Sequence, residues 1–335
     1  MKIRIAINGF GRIGRQVARL ILAHQNRGME LAAINTIEDI QTCVFLLKHD
    51  STRGICPSLI KTEGSSIIID DNAAISFLNC LNPTDLPWKR ENIDLVVECT
   101  GNGSLNNSPA AHLQAGARKV LITAASAFSE ITLCHGVNNA VYNPEIHNLI
   151  SSSSCTTNCI APVAKVVNDV FGIEYGMATF LHSYTNNQPV LDTFCDDLRR
   201  SRSAAMNIIP TTTSAEHQLP LILPSLEGRF KAMAIRVPTP AVHLADFTMK
   251  LQKNASKDDL FHALEDAAAH EMKGIISIAQ EPLVSIDYRK SFFSSTVDFA
   301  ATQSYDDFVK ILIWHDNEFS YSNRVVDLIS FIGKK

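Results

Sequence analysis

The chain has 335 residues, 46% of them hydrophobic and 19% charged, which is enough apolar material for a large core and excludes wholesale disorder. With 30 Lys and Arg against 34 Asp and Glu, the net charge of −4 excludes a broad basic face for nucleic acid or an anionic membrane as the default reading. The length predicts two domains, and no apolar run reaches the ~18 residues that a membrane helix needs.

In chain order, Met1-Lys2-Ile3-Arg4-Ile5 alternates charged and apolar residues and leads into a strand, unlike the charged head and apolar stretch of a signal peptide. Ile3–Ile7 reads as a buried strand. Arg12 to about His24 reads as a helix with Ile13, Val17, Leu20 and Ile21 on one face. Leu31–Asn35, Ile93–Glu98 and Lys119–Ile122 repeat the strand signal, with a helical segment near Ala110–Ala115. This alternation predicts a parallel α/β sheet over the first ~150 residues. Beyond about residue 225 the pattern changes. Ala245–Leu251 alternates apolar and polar residues like a strand with one wet face. Ser256-Lys257-Asp258-Asp259 resembles a capped helix start, Lys310–Trp314 another strand, and Ser322 to Ile332 a closing helix.

Asn8-Gly9-Phe10-Gly11-Arg12-Ile13-Gly14 contains G-x-G-x-x-G between a strand and a helix, the context in which the motif signals a dinucleotide. The first glycine makes the turn, the second admits a pyrophosphate, and the third lets helix and sheet pack closely. The acid expected after the second strand is missing. Asn35-Thr36-Ile37 stands there, and Glu38 and Asp39 follow.

Eight cysteines are scattered without paired C-x-x-C spacing, and the histidines lack H-x-x-x-H spacing, so neither zinc nor a disulfide framework is predicted. A reduced, cytoplasmic protein is expected. Cys155 falls where a run of serines meets a helical pattern. A free thiol is only about 3% thiolate at pH 7, and a helix N-terminus with a nearby imidazolium is expected to raise that fraction. His182 ends a short apolar run, where a histidine alone is more often structural. Cys159, one turn on, reads as a core cysteine.

INGFGRIGR at 7–15, SCTTNC at 154–159, HSYTNNQ at 182–188, DLRRSRSAAMNIIPTTT at 197–213, AIRVPTP at 234–240 and HDNEFSYSNRVVDL at 315–328 run nearly end to end in one order. Together they resemble phosphorylating glyceraldehyde-3-phosphate dehydrogenase, with erythrose-4-phosphate dehydrogenase as a close relative. The resemblance implies a Rossmann-type parallel-sheet domain over residues 1–154, completed by a C-terminal helix at about 319–335. An α+β catalytic domain with a mixed or antiparallel sheet would span 155–318. Cys155 would form a hemithioacetal and then a thioester, with His182 as base and the backbone N–H of Cys155 together with His182 stabilising the oxyanion. Thr185 and Arg236 resemble the site for the substrate's phosphate, and Ser154, Thr156, Thr213 and Ser214, with Arg200 nearby, the site for inorganic phosphate. Asn317 and Tyr321 match residues at the nicotinamide. Asn8, Gly9, Phe10, Gly11, Arg12, Ile13, Gly14, Asn35, Thr36, Thr100, Gly101 and Thr123 complete the expected cofactor set.

The expected cofactor is NAD, with NADP tolerated because Thr36 replaces the family's usual Asp. Other departures are Asn187 for Asp, Ser214 for Gly, Ser152 for Asn, Ser320 for Gly, and Thr193-Phe194 for Leu-Pro. The resemblance implies a small phosphorylated aldehyde and inorganic phosphate as partners and a homotetramer, with no nucleic acid, membrane or metal. Two other readings stay open: thioester hydrolysis, as in erythrose-4-phosphate dehydrogenase, and a nucleotide-binding regulatory protein without catalysis.

Overall fold

The computed structural model describes residues 2–23, 28–71, 73–101 and 109–335. It forms two compact units. The first holds the described residues up to His135 with Ala140–Ser153 and Ser322–Lys335; the second holds Gly136–Asn139 and Ser154–Tyr321.

In the first unit the chain runs β1 (Ile3–Asn8), α1 (Arg12–Ala23), β2 (Met29–Asn35), α2 (Ile40–Lys48), β3 (His49–Asp50), β4 (Gly54–Ile55), β5 (Ile60–Glu63), β6 (Ser66–Ile69) and β7 (Ala73–Leu78). It continues with β8 (Leu95–Glu98), α3 (Ala111–Gln114), β9 (Lys119–Ile122), β10 (Ile131–Thr132) and β11 (Leu149–Ser151). The predicted end of the first helix, His24, lies outside the described residues. Nine strands form one sheet in the order β10-β11-β9-β8-β1-β2-β7-β6-β5, parallel from β10 to β7 and antiparallel through the last two pairings. Parallel strands are covered on both faces and so read as unbroken apolar runs. Ile5, Ala6, Ile7, Val96, Val97, Val120 and Leu121 are all fully buried. The predicted strand at Ile93 starts two residues later, because the Ile93 N–H closes a turn onto the Trp88 carbonyl. From β1 the chain steps to β2 on one side and later to β8 on the other. Asn8, Asn35 and Glu98 are thereby level at one sheet edge, the switch point where dinucleotides bind in such sheets.

The second unit comprises α4 (Cys155–Phe171), β12 (Ile173–Ser183), β13 (Ile209–Thr211), α5 (Ala215–Ile222), β14 (Phe230–Val237), β15 (His243–Leu251), α6 (Lys257–Ala269), β16 (Ile276–Ala279), β17 (Ser295–Tyr305) and β18 (Phe308–His315). A last helix, α7 (Phe319–Ile332), begins in this unit and continues into the first. Its sheet is mixed, in the order β13-β14-β12-β15-β18-β17-β16. Along β15 every second side chain is buried, as its alternation predicts, and Ser256 and Asp259 form the full capping box of α6. Within α4, Ile160, Val163, Ala164 and Val167 are fully buried.

Candidate active site

At the sheet edge of the first unit each motif glycine meets a different constraint. A Cβ on Gly9, whose φ is +90°, would lie 2.6 Å from the Thr100 nitrogen, and one on Gly14 only 2.2 Å from the Gly9 carbonyl oxygen. A Cβ on Gly11 would meet nothing within 4 Å. The loop is thus folded against Thr100, α1 is packed on the loop, and the middle glycine is left for a ligand to approach the α1 N-terminus. Phe10 is buried, Ile13 half-buried, and Gly101 has a φ of +72°. Arg12 is anchored by Asp50 at 2.7 Å and by Thr52. Against the upward push of burial, the Thr52 hydroxyl and the Arg12 guanidinium hold the Asp50 carboxyl well below its usual range.

Asn8, Asn35 and Thr100 spend their side chains inward. Glu98, buried at the end of β8, accepts from Asn8 Nδ2 (2.6 Å), from the backbone N–H of Thr100 (2.7 Å) and from its hydroxyl. Asn35 Nδ2 donates to Asn8 Oδ1 at 2.7 Å, and Thr123 donates to the Glu98 carbonyl at 2.9 Å. His112 Nδ1 accepts from the Trp88 indole at 2.9 Å, which leaves Nε2–H to donate to Glu98 at 3.0 Å. Burial pushes the Glu98 carboxyl up, but His112, Thr100 and Asn8 more than reverse this. These expected cofactor residues therefore brace the crevice by their side chains. Sequence reading missed Glu98 and His112 as their anchor, although an acid closing a buried strand was a signal for it. Thr36 is buried, its N–H bonded to the Leu78 carbonyl at 3.2 Å. Asp39 caps α2 by accepting from the Thr42 N–H, so its charge is already engaged there.

In the second unit, Ser154 caps α4 and Cys155 is its first residue, following Ser153 with a φ of +59°. Cys155 Sγ lies 3.6 Å from His182 Nε2. His182 is near the end of β12, directly across from Arg236 on β14; on the next strands His243 of β15 faces His315 of β18. This cross-strand row stacks three imidazoles, with centroids 4.8 Å apart for His182 and His243 and 4.9 Å for His243 and His315. His182 Nδ1 is 2.6 Å from the Ser183 carbonyl oxygen and 2.6 Å from Arg236 Nη1. Arg236 can only donate, so a proton on Nδ1 goes to the Ser183 carbonyl only if Arg236 turns its own N–H to that same oxygen, 3.1 Å away. In that tautomer Nε2 keeps a lone pair facing the thiol.

The surroundings of His182 work against the expected imidazolium. Burial and the Arg236 charge push His182 down to about 3, so it is neutral at pH 7. Burial also pushes the Cys155 thiol up, against the pull of Arg236 and the backbone N–H groups of Thr156 and Cys155. Both shifts favour the uncharged forms, a thiol and a neutral base. Cys159 is fully buried, as a core cysteine should be.

A chain of three hydroxyls begins at the residues on either side of Cys155. Ser154 Oγ is 3.0 Å from Thr156 Oγ1, which is 2.9 Å from Thr213 Oγ1. Ser214 is the N-cap of α5 and makes no side-chain capping bond. Arg200 joins this run through Thr211 (2.7 Å) and Thr212 (3.4 Å). Thr185 is held by Gln188, a buried residue that sequence reading had not singled out. Asn317 Oδ1 accepts from the Ser183 hydroxyl (3.0 Å) and from the N–H of Val242 (3.1 Å), whose φ of +70° lies in the left-handed region. Tyr321 is buried in the first turn of α7. Two departures are accommodated by hydrogen bonds: Ser152 Oγ donates to the Ile122 carbonyl and Ser320 Oγ to the Ser291 carbonyl.

Comparison with known proteins agrees with this geometry. Residues 3–105 match the glyceraldehyde 3-phosphate dehydrogenase NAD binding domain, and residues 154–317 match the C-terminal domain of the same enzyme. Glyceraldehyde-3-phosphate dehydrogenase from Geobacillus stearothermophilus is 44% identical over 100% of this chain and 99% of the relative. Glyceraldehyde-3-phosphate dehydrogenase 1 from Bacillus subtilis is 43% identical over the same shares. A chloroplastic glyceraldehyde-3-phosphate dehydrogenase from Arabidopsis thaliana is 42% identical over 99% of this chain and 84% of the relative. A thiol paired with a neutral imidazole, a hydroxyl cluster and a dinucleotide crevice thus occur in a chain that belongs to the glyceraldehyde 3-phosphate dehydrogenase family.

Proposed function

We propose that the chain oxidises D-glyceraldehyde 3-phosphate to 1,3-bisphosphoglycerate, with NAD as hydride acceptor and inorganic phosphate as acyl acceptor. The observation that carries this is Cys155 Sγ at 3.6 Å from His182 Nε2, with Ser154 and Thr156 on either side of the cysteine in a chain of three hydroxyls. His182 Nε2 takes the thiol proton as sulfur bonds to the aldehyde carbon, and the N–H groups at the α4 N-terminus stabilise the oxyanion. His182 returns that proton to the oxyanion, which becomes the hemithioacetal hydroxyl, and takes it back from the hydroxyl as the thioester forms on Cys155. NAD, when bound, supplies the hydride acceptor, and the residues that fit it are the Gly9–Gly14 loop and the crevice braced by Glu98. Ser154, Thr156, Thr213, Ser214 and Arg200 hold the attacking phosphate, and Thr185 and Arg236 the substrate's own. With Oδ1 of Asn317 already accepting two bonds, its amide N–H is the end available to a carboxamide.

An initial-rate assay with both aldehydes, with and without phosphate, tests the reading. Oxidation of glyceraldehyde 3-phosphate should require phosphate or arsenate. Full steady-state turnover without either anion would favour the hydrolytic alternative.

For cofactor choice, Thr36 offers one hydroxyl and no charge, so NADP is tolerated beside NAD. Thr36→Asp should widen the NAD-over-NADP ratio in kcat/KM tenfold or more, about 1.4 kcal/mol. A wild-type protein already as selective as the variant would place the discrimination elsewhere.

The first unit serves as the dinucleotide domain and the second as the catalytic domain. A homotetramer is supported by exposed Val190, Leu191, Phe194, Leu198, Met206 and Ile208, an apolar segment of the kind that marks an interface. No helix among the described residues is long and apolar enough to cross a membrane. No disulfide joins the cysteines among the described residues, which supports a reducing compartment such as the cytoplasm.

A further inference from the structure

His243 has no part in the chemistry above. It is 1% exposed, and among the described residues neither of its ring nitrogens makes a hydrogen bond. An imidazole buried with both nitrogens unsatisfied is costly unless something else engages it. Ligand atoms of Cys155, His182 and His243 all lie within 4.8 Å of one another. We propose that these three side chains form a zinc site whose occupancy reversibly switches the enzyme off.

The donor set fits that ion. One thiolate and two neutral imidazoles are ligands zinc takes readily, at about 2.3 Å for sulfur and about 2.0 Å for nitrogen. A tetrahedral angle between such bonds sets sulfur and nitrogen about 3.5 Å apart, close to the 3.6 Å between Cys155 Sγ and His182 Nε2. His243 must close a remaining gap of up to about 1.5 Å, and this movement breaks no hydrogen bond of its own. His182 is already oriented as a ligand: its Nδ1 is 2.6 Å from the Ser183 carbonyl, the support that zinc-bound histidines commonly use. With the proton fixed on Nδ1, Arg236 keeps its bond to the same carbonyl at 3.1 Å.

Binding replaces the thiol proton, which passes to solvent as the Zn–S bond forms. The nearby Arg236 guanidinium opposes the ion, so the fourth position takes an anion. Thiolate and anion together then balance the two charges of zinc. The site stops catalysis because it occupies both the nucleophilic sulfur and the lone pair of the base. No sequence spacing advertises it, since the ligands come from the start of α4, the end of β12 and the start of β15.

The test uses the full-length, cofactor-free protein and needs no substrate, so its failure leaves the proposed reaction untouched. Zinc is titrated against a chromophoric chelator, and X-ray absorption is recorded on the zinc-loaded wild type. One zinc per chain is expected, with one sulfur and two imidazoles in its shell. Cys155→Ser should abolish binding, and His243→Phe, which keeps a ring in the stack, should weaken it at least tenfold. A shell without sulfur or with a single imidazole, or unchanged affinity in either variant, would overturn the proposal. The absorption spectrum decides even if His243→Phe does not fold.

Discussion

Cys155→Ser should abolish turnover, lowering kcat by roughly 10⁴-fold or more while leaving NAD affinity unchanged. The serine fits the same place at the head of α4, so the fold and the glycine loop are not disturbed. What is lost is an acidity that a neutral imidazole can match. His182 is able to assist ionisation of a thiol, even one that burial pushes up, whereas a hydroxyl is far less acidic. Initial rates with equilibrium dialysis of NAD check both halves. A variant that keeps more than about a hundredth of wild-type kcat would remove Cys155 from its proposed role.

His182→Asn should lower kcat by roughly 10²- to 10⁴-fold, and it should also change the form of a pH profile. With His182 pushed down to about 3, the imidazole stays neutral throughout the range from pH 5 upward. Base-assisted alkylation of Cys155 in the wild type is therefore flat between about pH 5 and pH 7 and rises only as the thiol itself ionises. Without the base, only free thiolate reacts. The thiol's pKa is raised, so that fraction grows about tenfold per pH unit across the whole range. Iodoacetamide labelling of Cys155, followed by peptide mapping from pH 5 to 8, separates the two profiles. Identical slopes in wild type and variant would show that His182 does not serve as the base.

What could be read in advance follows a physical division. Strands buried on both faces announce themselves as apolar runs, and Ile3–Asn8 and Lys119–Ile122 were legible for that reason. The capped start of α6 was equally plain, because capping is local chemistry, and the serine run before Cys155 marked where α4 begins, though not its Ser154 cap. The thiol and its base were legible through motif resemblance, but their protonation was not. It depends first on burial and then on Arg236, which the sheet register places across from His182. The same is true of His243 and His315, each unremarkable in its own segment and joined only by the pairing of β15 with β18. The Glu98 network links residues up to 104 positions apart. Local pattern carries no information about such pairings.

The backbone at Val242 has one more implication. A β-branched residue held at a φ of +70° stores about 1–3 kcal/mol of strain, and the Asn317 side chain bonded to its N–H helps keep it there. Asn317 thus has a mechanical duty beside any contact with nucleotide. Replacing it frees the strained Val242 backbone beside His243, so the damage will grow with temperature instead of appearing as a fixed loss of one ligand bond. Weak nucleotide binding by an Asn317 variant at 37 °C and weak binding at 10 °C are therefore different observations, and only the colder one measures recognition.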